Sequence, residues 1–112
     1  MKVEKDPSKF LSAEDVSDQE IVILGKDAEE VEGKYGMRLQ IGLTTASGDE
    51  KVLTLNPTSK ANLIDTYGDE TNLWNGKEAR VHIFKSKVGS EIKNVLYLTS
   101  PNKDMEGKEI NA

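Results

Sequence analysis

The chain has 112 residues, 31% of them charged, with a formal net charge of −5, one His and no Cys. That length gives one domain with a single core. The lack of Cys excludes disulfides, thiolate metal sites and a Cys nucleophile, and a lone His leaves a zinc site short of its usual ligands. The charge is uneven: residues 1–35 hold five Lys and ten acids, whereas residues 36–112 hold ten basic and ten acidic residues. The acidity therefore belongs to the N-terminal third, and the balance argues against a general polyanion binder. No apolar leader opens the chain, and no window approaches the roughly 20 apolar residues of a membrane span. The expectation is a soluble, cytoplasmic protein with one domain at 10–101, a mobile arm at 1–9 and a disordered tail at 102–112.

Along the chain, Phe10-Leu11-Ser12-Ala13-Glu14-Asp15-Val16 reads as a capped turn that plugs one end of the core. Ser12 is the cap, Asp15 is the acid three residues on, and Leu11 and Val16 form the staple. Ile21-Val22-Ile23-Leu24 is a β-branched run, expected as a strand buried on both faces or curling around a barrel. Residues 27–36 are acidic with two glycines and read as a loop or an irregular strand extension. Met37, Leu39, Ile41 and Leu43 alternate with polar or small residues, as in a half-exposed strand. A turn at 46–49 then makes a hairpin with the strand at 50–55.

Residues 52–77 organise the rest. Asn56 suits an N-cap and Pro57 the first helical position, where a missing N–H costs nothing. Ala61, Leu63, Ile64 and Tyr67 fall at helical spacing, and Gly68 can close the helix in a left-handed conformation. The helix is expected over 57–67, burying Ala61, Ile64 and Tyr67 and exposing Ser59, Lys60 and Asn62. Trp74, beside Gly76, is expected to cover an end of the core. Residues 78–85 and 92–99 give two more strands around a turn at 86–90, and Pro101 ends the last one. Three strands, a helix and two strands is the order of an OB-fold, a small five-stranded Greek-key barrel. The alternative is an open α+β sheet with one packed helix.

Three motifs carry a family resemblance: Phe10-Leu11-Ser12-Ala13-Glu14-Asp15, Leu55-Asn56-Pro57-Thr58-Ser59, and Gly68-Asp69-Glu70-Thr71-Asn72-Leu73-Trp74-Asn75-Gly76-Lys77. On them the chain resembles small proteins of bacteriophage, prophage and mobile-element genomes, which are mostly uncharacterised or regarded as OB-like binders of single-stranded nucleic acid. Pro57 after the Asn departs from that pattern. The resemblance implies a setting near replication and recombination genes.

The residues themselves favour binding over catalysis. Asp69 to Thr71 has neither the carboxylate spacing of a Ca²⁺ loop nor the glycines of a phosphate loop, and His82 has no Ser or Cys placed to complete a triad. No enzyme activity, cofactor or metal is implied. A groove for single-stranded nucleic acid needs cations and exposed aromatic faces. Lys77, Arg80, Lys85, Lys87 and Lys93 oppose only Glu78 and Glu91 within 77–93, a local net of five minus two. His82, Phe84 and Tyr97 add stacking surface, and Arg38 could extend the track. The expected function is weak binding of single-stranded DNA or RNA without sequence preference. The rival is a protein-interaction module in which the acidic 27–32 segment and an open sheet edge dock on a replication or recombination protein. The same lysines could also serve only to guard a sheet edge.

Overall fold

The computed structural model describes residues 10–33 and 36–110. The arm expected at 1–9 lies outside the described residues. Five strands form one antiparallel sheet in the order β3-β2-β1-β4-β5, built from β1 (Ile21–Gly33), β2 (Gly36–Thr44), β3 (Glu50–Thr54), β4 (Glu78–Val88) and β5 (Glu91–Thr99). One α-helix, α1 (Pro57–Tyr67), and a short 3₁₀ turn at Thr71–Leu73 connect β3 to β4. The element order is the expected one, but β3 and β5 stand at opposite edges and do not pair with each other, so the sheet is open.

β1 alternates, where a strand buried on both faces or curling around a barrel was expected: Val22 and Leu24 are fully buried, while Ile23 is 42% exposed, so burial on both faces is not what it shows. It then runs on to Gly33, so the segment expected as a loop or an irregular strand extension is the latter. The pairing passes from Leu24↔Leu43 to Ala28↔Ile41, so Gly25, Lys26 and Asp27 stand against Gly42 alone, and this bulge bends the strand. A Cβ on Gly25 would lie 3.2 Å from the Gly42 carbonyl oxygen, so a side chain there would have to displace the facing backbone by a few tenths of an ångström.

α1 has the expected bounds. The Asn56 side chain accepts the Ser59 N–H at 2.9 Å and Pro57 opens the helix, as expected, whereas Gly68 donates its N–H to the Ile64 carbonyl and leaves at φ +93° with an extended ψ of 174°, where a left-handed helical closure was expected. Its phase differs. Ser59 and Leu63 are buried, Ala61 is exposed and Ile64 only half-buried. The helix lies on β5, and its polar side chains serve that strand's outer edge. Ser59 Oγ accepts the Leu98 N–H at 2.9 Å, Asn62 Nδ2 donates to the Leu98 carbonyl at 3.0 Å, and Asn56 Nδ2 donates to the Leu96 carbonyl at 3.0 Å. Buried backbone groups must find partners, and here α1 supplies what a sixth strand would. Because Asn56 stands two residues past the end of β3, its bond to Leu96 also links the two edges of the sheet.

The opposite edge is closed by the N-terminal turn. Leu11 donates its N–H to the Val52 carbonyl at 2.8 Å, and Leu11 and Val16 are buried. Asp15 reaches back to the Ser12 N–H at 2.9 Å. The core sits inside the curled sheet under α1, around Val22, Leu24, Leu43, Leu63, Val81 and Leu98. Trp74, 2% exposed, closes one end of it, and its indole Nε1–H donates to the Gly68 carbonyl at 2.9 Å. Where a disordered tail was expected from residue 102, residues 100–110 form turns joined by a Lys103–Glu109 bridge. They are tied back by Arg80 Nε to the Pro101 carbonyl and by Thr99 Oγ1 to the Lys103 carbonyl.

Candidate nucleic-acid interface

Directly opposed residues of an antiparallel pair share a face, so the β4–β5 register sorts the expected site residues. Val81↔Leu98 and Ile83↔Leu96 point into the core. Lys85↔Asn94 and Lys87↔Ile92 continue that core-side face beyond the core itself. His82↔Tyr97, Phe84↔Val95 and Ser86↔Lys93 share the outward face. The sheet therefore divides the basic cluster. Lys85 and Lys87 lie on one side, and Lys93 lies on the other with the two aromatic rings.

Two expected contacts are corrected. His82 is 4% exposed, because the turns at 100–110 lie over this part of the outward face. Its Nε2 lies 2.9 Å from Thr99 Oγ1, and that hydroxyl has the Ser100 and Lys103 carbonyls as acceptors, so the imidazole is the donor to it. Burial holds the imidazole pKa below its ordinary value, aided by Arg80 and opposed by Asp18 and Asp104. His82 offers no stacking face. Arg80 is also committed: Nε donates to the Pro101 carbonyl at 2.9 Å and Nη1 to the Gln19 carbonyl at 3.0 Å. Both donors hold the fold together, one by pinning the C-terminal turns and the other by fixing Gln19, whose φ of 66° is unusual for a residue with a side chain.

The remaining residues fall into three places. Phe84, 47% exposed, and half-buried Tyr97 make an edge-to-face pair with ring centroids 5.6 Å apart at 74°. Lys93 stands on the same face, 60% exposed, with Glu91 3.8 Å from its ammonium. Lys77 is exposed in the turn before β4. Arg38 is half-buried on the outward face of the β1–β2 hairpin, opposite Val31 and across β1 and β4 from Lys93. The acidic segment, expected as a loop or irregular strand extension and as the docking surface of the rival reading, is an ordered part of β1. Glu30↔Leu39 and Glu32↔Met37 place two carboxylates on the core-side face of β1.

Among the described residues no three His, Asp or Glu side chains converge as a metal site, and no helix is long and apolar enough to cross a membrane. Compared with known proteins, the chain matches no family model, and no curated sequence matches it significantly.

Proposed function

We propose that this chain is an OB-like module that binds single-stranded DNA or RNA weakly and without sequence preference, stacking bases on Phe84 and Tyr97 and holding a phosphate with Lys93. The observation that carries the reading is the edge-to-face pair of exposed Phe84 and half-buried Tyr97 with a cation on the same face. Every base has a π-face, so such a platform is indifferent to sequence. The helix between the third and fourth strands and the link between the sheet edges at Asn56 and Leu96 support the OB-like part. The phage or mobile-element setting comes from the motif resemblance.

The test is an anisotropy titration of a labelled oligothymidylate at low salt. Wild type is expected to bind, and Phe84→Ala should weaken binding roughly tenfold, in line with the 1–3 kcal/mol of one base–aromatic stack. Absence of binding at low salt overturns the reading in favour of a protein partner.

A further inference from the structure

β1 and β4 pair only at Ile21↔Arg80, Val22↔Ala79 and Ile23↔Glu78. Because they run antiparallel, the two strands continue past that shared segment in opposite directions. Beyond it, among the described residues, residues 28–33 of β1 pair only with β2, and residues 84–88 of β4 pair only with β5. Two hairpin arms result, each with one open strand edge.

The backbone alternation tells which residues face those edges. On β1, core-facing Leu24 turns its N–H and C=O toward the β4 side, bonding the Lys77 carbonyl and the Gly76 N–H. Past the bulge the core-facing residues are Ala28, Glu30 and Glu32, so the same alternation turns the backbone of Glu30 and Glu32 to the open edge. On β4, Val81 donates to the Glu20 carbonyl and accepts from the Gln19 N–H, and the Ile83 N–H goes to Asp18 Oδ1. Lys85 and Lys87 follow in step. One open edge therefore carries two carboxylates and the other two ammoniums, at the same spacing of about 7 Å and on the same face of the sheet.

We propose that copies of this chain associate head to tail, the β1 edge of one pairing antiparallel with the β4 edge of the next, with Glu30 opposite Lys87 and Glu32 opposite Lys85. This continues between molecules the neighbour relation that β1 and β4 already have within one. Acidic against acidic and basic against basic are both repelled, since like charges directly opposite destabilise a strand pair. Only the mixed pairing is left, and it is heterologous, closing as a ring or continuing as a filament. Met37 and Ile92, 60% and 72% exposed, lie on the partner strands of the same face and flank the charge rows.

The proposal stands apart from the nucleic-acid reading, and its test contains no oligonucleotide. Sedimentation equilibrium of the full chain over about a hundredfold range of concentration, near 0.1 M salt where the Debye length is about 10 Å, should show mass rising with concentration. Lys85→Glu with Lys87→Glu makes both edges acidic, and Glu30→Lys with Glu32→Lys makes both basic. Each double variant alone should stay monomeric, and an equal mixture should regain the higher mass. Because the chain has no Cys, oxidising a mixture of Glu30→Cys and Lys87→Cys chains should give the crossed dimer, whereas Glu30→Cys with Lys93→Cys, on the other face, should not. A monomeric wild type overturns the proposal. So do double variants that assemble like wild type, or a mixture that fails to restore assembly.

Discussion

Ser59 Oγ accepts the backbone N–H of Leu98 at 2.9 Å, and both residues are fully buried. A polar side chain at the centre of the helix–sheet contact is thus the partner of an edge strand that has no neighbour on that side. Ser59→Ala would leave the Leu98 amide buried without an acceptor. The expected cost is about 1–3 kcal/mol, read as a lower urea midpoint with an unchanged slope.

Trp74 combines burial with one polar bond, and two substitutions separate the contributions. Trp74→Phe keeps most of the ring but removes the Nε1–H donor to the Gly68 carbonyl, at an expected cost of about 1 kcal/mol. Trp74→Ala also opens the end of the core and should cost about 3–5 kcal/mol. Equal losses in thermal melts would mean that the hydrogen bond, and not the ring, holds the turn.

How much of this was legible follows from where each signal lives. The bounds of α1 are local chemistry, in Asn56, Pro57 and Gly68, and they were readable without knowledge of the sheet. The phase of α1 was misread because Ser59 is buried to serve Leu98, a need that exists only once β5 is known to be an edge. Likewise Ile23 looked like core in an apolar run, but a strand in an open sheet has one solvated face. The bulge at 25–27 carried the acidic segment into β1, and no period-2 pattern announces such a shift. His82 and Phe84 shared a strand face on paper; the turns at 100–110, which have little apolar content, cover only the first. Lys85 and Lys87 fell on the face opposite Lys93 because the strand alternation runs on through the β4–β5 hairpin.

His82 makes stability depend on pH. Its folded pKa is lowered below the ordinary 6.5, chiefly by burial, so in the window just below that value the unfolded chain binds the proton and the folded chain resists it. Stability is then fully present above about 6.5 and is lost as pH falls through that window. Asp15 acts lower. The Ser12 backbone N–H holds its pKa below 3.8, so its contribution fades only as pH falls below that value. Urea midpoints for wild type should decline between about pH 7.5 and about pH 5, and His82→Gln, which keeps a donor for Thr99, should flatten that decline. An unchanged slope in the variant would assign the effect to another group.

The division of the cations by the sheet sets the salt dependence of oligonucleotide binding. A strand lying on Phe84 and Tyr97 has Lys93 beside it, while Lys85 and Lys87 are on the far face of the hairpin. With about 0.7 counterion released per phosphate contact on single strands, one contact gives a log–log slope of about −0.7, whereas three give about −2. The expected slope is the shallower one. Lys93→Glu should abolish binding, and reversing Lys85 and Lys87 should leave it within about twofold, since exposed charges across a sheet are screened over roughly 8 Å. Titrations at three salt concentrations decide the matter. A slope near −2 that collapses when Lys85 and Lys87 are reversed would mean that the nucleic acid wraps the hairpin and engages both faces. The lysines of the β4 edge would then serve the nucleic acid directly, and reversing them should lower affinity as steeply as reversing Lys93.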